Sequence, residues 1–370
     1  MSELRTFHEE HGATFKTING RSVVEDYGRS ERTHRAVRNG VGVTEMPYGV
    51  IVVEGADRVS YVDNVVTNAV PHEDGKGCYA LILDPQGRIE TDFYIYNADE
   101  GDRLLLFTPP GRAASVADGW EVFIEDVEIT VASDDFTVFG VHGPKATEKV
   151  ASVLNNASTP EQPLSFVRGS LRDHGVTVVR TDDLTGEEGY EVICRTEIAR
   201  DVLDTLVNHG LNAVPFGRRS WESLTLEAGS PLFETELEGQ IPNVAGVRNA
   251  LDFDKGCYVG QEIVSKVENR GQPSRRLVGL AVAECPESGA AVFADDTSVG
   301  EITRAIDSPT AEQPLALAYV NYDTEPGDIT VRVDGNDVDA TLETLPFVEG
   351  SAVSGRLPSY PEAEPDPDPA

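Results

Sequence analysis

A stretch of eight residues, from Lys255 to Glu262, brings together side chains that can do chemistry. It reads Lys-Gly-Cys-Tyr-Val-Gly-Gln-Glu, so a cation, a thiol, a phenol, an amide and a carboxylate lie close in sequence. Its two glycines permit a sharp bend or a close approach to a ligand. A nearby cation stabilises a thiolate, which makes Cys257 a candidate reactive residue if the loop is exposed. The alternative is a tight turn around a small buried thiol.

The sequence around this stretch is basic, although the chain as a whole is strongly acidic. From Lys255 to Arg276, five Lys or Arg residues stand against two Glu, a local charge of +3, whereas the formal net charge of the chain is −34. Lys266, Arg270 and Arg275 belong to this run. A local positive charge on an acidic protein favours an anionic ligand.

The overall composition restricts the classes of function. The chain has 370 residues, 39% of them hydrophobic, which is enough for two or three domains with apolar cores. Acidic residues outnumber basic ones 64 to 30, which argues against bulk binding to nucleic acid or to anionic membranes. Acidity spread along the whole length is typical of a high-salt cytoplasm, where the Debye length falls to about 3 Å at 1 M salt.

Cysteine spacing and missing motifs exclude several common classes. The four cysteines form no C-x-x-C pair, so neither a disulfide scaffold nor a zinc knuckle is indicated. The sequence shows no apolar signal-peptide core, and no apolar run approaches the roughly 20 residues of a membrane span. It contains no Walker loop, dinucleotide fingerprint, G-x-S-x-G elbow or H-E-x-x-H motif. We therefore expect a cytoplasmic protein without a bound metal or a membrane segment.

Hydrophobic periodicity divides the chain into regions of different character. The segment up to about Thr44 is polar and favours helix, whereas short strands separated by turns follow from 50 to 131. Strands and helices alternate over 136–228, and short strands dominate after Arg276. The region from Ser351 onward is rich in Pro and acidic residues and is predicted to be disordered. The pattern predicts an α+β fold with a separate C-terminal β domain.

Two further motifs carry a resemblance to a known family. The run from Thr185 to Glu191, Thr-Gly-Glu-Glu-Gly-Tyr-Glu, resembles the T-G-E-x-G-[FY]-E motif of the glycine-cleavage T-protein superfamily of folate-binding proteins. Leu226 to Gly229 resembles the L-E-A-G motif of the same superfamily, and the similarity extends from about Phe7 to Phe347. Within it, the stretch from Lys255 to Glu262 resembles the signature of the YgfZ branch, which is associated with maintaining certain iron–sulfur enzymes.

The resemblance implies an α+β cloverleaf of two mixed α/β domains and a C-terminal β-barrel. The expected folate-binding domain is discontinuous and comprises residues 1–46 and 136–250, with a strand-rich domain inserted at 47–135. The signature loop would occupy 251–276, the β-barrel 277–350 and a disordered acidic tail 351–370.

The resemblance also implies a site. Folate would lie in the central cleft, where the carboxylate of Glu191 accepts a pair of N–H hydrogen bonds from the pterin ring. The alternative is that Glu191 belongs to an exposed acidic turn. Asp92 would lie beside the folate nitrogens and take or hold a proton. We therefore expect Asp92 and Cys257 as catalytic candidates, and as cofactor-binding candidates Glu191, Asp92, Lys255, Tyr258, Gln261 and Arg270.

Three departures from the family pattern bear on the activity. Family transferases have two adjacent acids where this chain has Thr91 and Asp92, so only one acid is kept. The family tyrosine before the T-G-E motif is Leu184 here, and the arginine expected in the helix before L-E-A-G falls near Trp221 or Thr225. These changes favour a tetrahydrofolate-binding accessory protein that supports assembly or repair of iron–sulfur enzymes, with such enzymes as partners.

Two alternatives stay open. One is a folate-dependent aminomethyltransferase, either a glycine-cleavage T-protein or a relative that acts on another methylamine. The other is a protein-binding module that uses the cleft without folate. Glu191 and the local positive charge favour the folate-dependent functions over the module, and Thr91 favours the accessory protein over the transferase.

Overall fold

Three large β-sheets and one hairpin organise residues 3–120, 126–269 and 272–361, which are the residues described by a computed structural model. The helices are α1 Glu3–Glu10, α2 Ser30–Arg38, α3 Arg58–Val65, α4 Ala113–Gly119, α5 Ala146–Ala151, α6 Ala199–Asn208, α7 Arg218–Glu227, α8 Pro242–Ala245 and α9 Gln261–Asn269. The strands are β1 Thr14–Ile18, β2 Arg21–Asp26, β3 Gly42–Met46, β4 Gly49–Glu54, β5 Lys76–Leu83, β6 Ile89–Ala98, β7 Arg103–Thr108, β8 Glu128–Val131, β9 Phe136–His142, β10 Leu154–Asn155, β11 Phe166–Leu171, β12 His174–Arg180, β13 Gly189–Arg195, β14 Val214–Pro215, β15 Arg275–Val282, β16 Ala291–Ala294, β17 Thr297–Asp307, β18 Pro314–Asn321, β19 Ile329–Val333 and β20 Asn336–Glu343.

The first sheet has seven strands in the order β10-β11-β12-β13-β9-β3-β14. Successive side chains of a strand point to opposite faces, and β13 follows this rule. Val192 and Cys194 share one apolar cluster with Leu206 of α6, whereas Ile193 joins a different cluster on the other face. Glu191 lies two residues before Ile193, so this alternation directs its side chain towards the second cluster in the middle of the molecule.

The second sheet has five antiparallel strands in the order β5-β6-β7-β4-β8. On β6, Phe93 and Ile95 pack against a cluster that includes Val62 of α3, whereas Tyr94 and Tyr96 face the cluster shared with the first sheet. The two sheets therefore enclose a common core. Every strand of the second sheet lies between residues 49 and 131, within the range 47–135 of the proposed inserted domain.

The third sheet is a closed barrel of strands β15-β18-β17-β16-β19-β20. Leu280, Ala316, Ala318 and Val331 are completely buried inside it. Closure leaves no unpaired strand edge. The two mixed regions followed by this barrel confirm the predicted α+β fold class.

The helical preference expected for the first 44 residues is wrong between α1 and α2. There, β1 and β2 form an antiparallel hairpin around Asn19 and Gly20, which both have positive φ. Asn-Gly is a strong signal for a two-residue hairpin turn, because both positions tolerate left-handed backbone. Val23 and Val24 are buried, so the hairpin is also held by apolar contacts.

The prediction of a disordered tail at 351–370 is wrong for its first half. The amide of Ala352 donates to the Gly186 carbonyl and the amide of Gly355 to the Asp182 carbonyl, and Arg356 is only 5% exposed. Residues 352–360 contain no acidic side chain, so the acidic composition that suggested disorder comes from the segment after them. The remaining residues, 362–370, lie outside the described part of the chain.

Candidate functional site

A pocket, here called the main chamber, lies between the two open sheets and contains about 750 Å³ of empty space, part of which is open to solvent. Its walls are largely apolar and aromatic, and a small number of charged side chains enter it. Such a lining is typical of a site for a small organic ligand. Lining residues come from β3, β6, β7, α7 and the C-terminal segment, and they include Met46, Asp92, Tyr94, Phe107, Trp221 and Arg356.

A second, much smaller cavity, the inner chamber, adjoins the main chamber. Both chambers share Tyr48, Tyr94, Leu184 and Trp221 in their walls. Glu191 lines the inner chamber. The fold therefore brings Glu191 and Asp92, which the sequence placed in separate motifs, to adjoining cavities.

Asp92 is buried at the wall of the main chamber. Its Oδ2 accepts a hydrogen bond of 2.9 Å from Tyr79 Oη and another of 2.9 Å from Arg356 Nη1. Burial raises the pKa of the Asp92 carboxyl, and the charge of Arg356 opposes this shift. No other hydrogen bond to this side chain occurs within the described residues, so Oδ1 is available to a ligand or a proton.

Arg356 belongs to the C-terminal segment after the barrel. Its guanidinium carbon lies 3.9 Å from the ring centroid of Tyr79 and 5.0 Å from that of Tyr94, within the range of cation–π contacts. Arg356 Nε lies 3.8 Å from Asp182 Oδ2, a second buried carboxylate. The segment thus supplies a fixed positive charge between two acids at the chamber wall.

Glu191 is held by one hydrogen bond, of 2.8 Å, which Tyr48 Oη donates to Oε1. Burial raises the pKa of Glu191 to about 7, and the hydrogen bond from Tyr48 opposes this shift. Burial also raises the pKa of Tyr48 well above its usual value, so the phenol remains a neutral donor. The second carboxylate oxygen has no other hydrogen-bond partner in the described chain and can accept from a ligand N–H.

The stretch from Lys255 to Glu262 does not reach either chamber. Lys255 Nζ instead donates to the backbone carbonyls of Asp63, Val66 and Asn68, at 2.6, 2.9 and 3.0 Å. Its side chain is only 4% exposed. Lys255 therefore anchors this stretch to the last turn of α3 and the loop after it.

The remaining signature residues have similar surroundings. A Cβ on Gly260 would lie 2.8 Å from the Asp84 carbonyl oxygen and 3.0 Å from Gly87 Cα, so the loop packs closely on the turn between β5 and β6. Tyr258 is buried and Gln261 begins α9, and neither lines a chamber. The predicted cofactor contact Arg270 lies outside the described residues. The position of the signature indicates that it holds the strand that carries Asp92.

The three departures from the family pattern all lie at or beside the chambers. Thr91 is buried next to Asp92, and Leu184 lines both cavities. Arg218, near the position of the expected arginine, lines the main chamber, where it donates to Glu222 at 2.7 Å and to Glu234 at 3.3 Å. The arginine of the family pattern is absent, but Arg218 places a guanidinium at this chamber.

Sequence reasoning missed most of the polar residues at the chambers. Tyr48, His142, Asp182 and Arg356 line the chambers but belong to none of the sequence motifs. For Arg356 the sequence held one signal: the residues around it are not acidic, unlike the end of the chain, which indicates an ordered segment. The others become recognisable only when the strands are paired.

The four cysteines differ in accessibility. Cys78 and Cys194 are buried, and burial raises the pKa of each thiol to about 12. Cys285 is partly exposed and Cys257 is exposed. Cys257 lies in the signature loop and lines neither chamber, so any reactivity it has is separate from the site of Asp92 and Glu191.

Two negative findings concern the described residues only. They include no group of three or more His, Cys, Asp or Glu side chains arranged to hold a metal ion. Among their helices, none has both the length and the apolar character needed to cross a membrane.

Two family models match the chain in succession. The GCVT N-terminal domain matches residues 4–255, and the glycine cleavage T-protein C-terminal barrel domain matches residues 275–349. Together they cover both open sheets, the barrel and every lining residue of the two chambers except Arg356. The C-terminal segment that carries Arg356 lies beyond the second match.

Similar proteins cover almost the whole chain. An aminomethyltransferase of Cutibacterium acnes is 30% identical over 94% of this chain and 98% of its own length. A probable aminomethyltransferase of Natronomonas pharaonis is 29% identical over 92% of this chain and 97% of its own length. The crystal structure of the glycine cleavage system aminomethyltransferase T from Bartonella henselae has the same fold, with a TM-score of 0.83 at 21% identity over 97% of this chain and 98% of that one.

Proposed function

The chain belongs to the glycine cleavage T-protein family, and we propose that it binds tetrahydrofolate in the two chambers and transfers a one-carbon group between folate and an amine. The observation that carries this proposal is the pairing of a buried proton-accepting group, Asp92, with a buried carboxylate at Glu191 that has an acceptor oxygen without a partner among the described residues. The similarity to aminomethyltransferases supports transfer over the accessory role that the sequence favoured.

The residues of the inner chamber fit a pterin ring. Glu191 has one carboxylate oxygen without a partner among the described residues, and the amino and ring N–H groups of a pterin are the donors it lacks. Tyr48, Tyr94 and Trp221 provide flat apolar walls on which a fused ring can pack. Burial disfavours the ionised carboxylate of Glu191, and a hydrogen bond from a pterin N–H stabilises it.

Asp92 is the group we assign to proton transfer. When bound, tetrahydrofolate supplies the secondary amine nitrogens that carry the one-carbon group. Asp92 Oδ1 can take or hold a proton at such a nitrogen, while Tyr79 and Arg356 fix the carboxylate through Oδ2. The apolar and aromatic walls of the main chamber limit the number of water molecules beside the reacting atoms.

Calorimetry and a coupled folate assay test the proposal. The wild-type protein is expected to bind tetrahydrofolate and to form methylene-tetrahydrofolate from an aminomethyl-lipoyl carrier, with release of ammonia and the dihydrolipoyl thiol. Glu191→Gln should weaken binding by about 1–3 kcal/mol, roughly tenfold or more, because it removes the charge while keeping the shape. Asp92→Asn should reduce turnover far more than binding.

Glu301→Gln is the matched control, because Glu301 is an exposed barrel carboxylate that lines neither chamber. Thr91→Asp restores the second acid of the family pattern and should raise turnover if that acid assists transfer. Absence of tetrahydrofolate binding by the wild-type protein would overturn the proposal. Binding without turnover on any amine donor would favour the accessory role instead.

One observation favours that second candidate function, support of iron–sulfur enzymes. Cys257 is exposed in the signature loop, and Phe253 and Val259 nearby are 41% and 52% exposed. Exposed apolar side chains around a thiol suit contact with a protein partner. A genomic deletion assayed for growth on glycine and for iron–sulfur enzyme activity distinguishes the two functions, and complementation with Cys257→Ser tests the thiol.

A further inference from the structure

His142, the last residue of β9, lies between two glycines of the first sheet. Gly189 of β13 is paired with His142, and Gly140 of β9 is paired with Glu191. A Cβ on Gly140 would lie 2.5 Å from His142 Nε2, and a Cβ on Gly189 would lie 2.8 Å from Nδ1. Any larger residue at either position would displace the imidazole, so this pairing reserves the space beside Glu191 for the ring.

The imidazole is packed but not hydrogen-bonded. Its centroid lies 5.2 Å from that of Trp221 and 6.2 Å from that of Phe216, in edge-to-face geometry. The residue is 1% exposed, and within the described chain neither ring nitrogen has a hydrogen-bond partner. Buried polar groups are almost always paired, and an unpaired one reduces stability. A hydrogen-bond partner supplied by a bound ligand accounts for a buried histidine at this position.

The ring lines the inner chamber together with Glu191. Asp182 also lines this chamber, and its Oδ2 makes no hydrogen bond within the described residues, although Arg356 Nε lies 3.8 Å away. Its Oδ1 accepts a hydrogen bond of 2.7 Å from Tyr94 Oη. Burial, aided by the charge of Arg180, lowers the pKa of His142 to about 3. At neutral pH the imidazole therefore offers one donor and one acceptor.

We propose that His142 is a ligand-recognition residue of the inner chamber, which hydrogen-bonds to the same nitrogen heterocycle that Glu191 holds. The identity of that heterocycle as a reduced pterin rests on the proposed function. An ionised carboxylate can only accept hydrogen bonds, so Glu191 cannot satisfy the acceptor atoms of an amino-oxo pyrimidine. His142 adds the donor that Glu191 lacks, and the bound ring selects which nitrogen carries the proton.

Long-range proton–nitrogen NMR of the uniformly ¹⁵N-labelled full chain tests the tautomer, with tetrahydrofolate as the probe. The His142 resonances are identified by their absence in His142→Phe. Addition of saturating tetrahydrofolate is expected to shift both ring nitrogens towards the values of a single tautomer. The ring nitrogens of His174, which lies outside the chambers, should not move.

Calorimetry on variants supplies the second measurement. His142→Phe keeps an aromatic ring and removes both unpaired nitrogens, so its melting temperature should be unchanged or higher while its affinity for tetrahydrofolate falls tenfold or more. His142→Gln retains a donor and an acceptor and should bind more tightly than His142→Phe. His174→Phe is the control and should bind like the wild type.

The outcomes separate this assignment from the proposed function. Wild-type affinity in His142→Phe, or His142 resonances that do not move at saturation, would overturn the assignment while tetrahydrofolate binding stands. A lower melting temperature of His142→Phe with unchanged affinity would also overturn it, since the ring would then be structural. Absence of binding by the wild-type protein would overturn the proposed function and the assignment together.

Discussion

Arg356 donates a hydrogen bond of 2.9 Å to Asp92, a residue 264 positions earlier in the chain. Both side chains are buried, and the same carboxylate oxygen accepts from Tyr79. A segment beyond the barrel thus completes the wall of the chamber that the two open sheets enclose. This contact ties the end of the described chain to the residue that we assign to proton transfer.

Replacement of Arg356 should show how much its ion pair with Asp92 contributes to the free energy of unfolding. Arg356→Gln leaves Asp92 buried without its cation, so we expect a loss of about 3–5 kcal/mol in the free energy of unfolding. Arg356→Lys keeps the charge and should lose less. Urea denaturation measures both, with Arg332→Gln, at an exposed pair with Asp337, as the control. Equal stability of Arg356→Gln and wild type would contradict the prediction.

Glu191 should make stability depend on pH in a defined window. Its pKa rises from 4.5 to about 7 on folding, so the folded state binds the proton more tightly and stability falls as pH rises between these values. Glu191→Gln removes this loss. Its stability advantage over wild type should be absent below pH 4.5 and reach about 3 kcal/mol above pH 7. Denaturation of both proteins from pH 4 to 8 at constant salt measures the difference, and a flat difference would refute it.

Lys255 is expected to stabilise the fold and not to bind the cofactor. Lys255→Met removes the donor to three backbone carbonyls, so the free energy of unfolding should fall by about 1–3 kcal/mol. Tetrahydrofolate affinity should stay within twofold of wild type, because Lys255 lies outside both chambers. Lys266→Met, at an exposed residue of α9, is the matched control. Lost affinity at unchanged stability would restore the cofactor-binding role expected from the sequence.

Cys257 should be the most reactive of the four thiols. It is exposed, whereas burial raises the pKa of Cys78 and Cys194 to about 12 and also raises that of Cys285. Brief alkylation at pH 8 followed by peptide mass mapping should find the label first at Cys257. Labelling of Cys78 or Cys194 at a similar rate would show that the buried thiols open readily to solvent.

Stability should increase with salt concentration. The chain has 64 acidic and 30 basic residues, and their net repulsion is screened as ionic strength rises. Thermal unfolding followed by circular dichroism should give a higher melting temperature at each step from low to multimolar KCl. A melting temperature that does not change over this range would exclude a salt requirement.

Much of the fold was predictable because its signals are local. Alternation of apolar residues along short strands, with turns between them, indicated the strand-rich regions and the C-terminal β domain. Glu191 and Asp92 were found because each lies in a short run that resembles a family motif. The Asn19-Gly20 turn carried a local signal as well, and the hairpin there could have been predicted from it.

The site itself was decided by tertiary structure, because its parts are distant in sequence. The sequence by itself determined that residue 356 is an arginine in a segment with few other charges, but only folding places it on Asp92. Lys255 illustrates the opposite case, since its motif suggested ligand binding and its three carbonyl partners make it an anchor. A side chain's role depends on the groups that surround it, and long-range packing supplies those groups without leaving a local pattern.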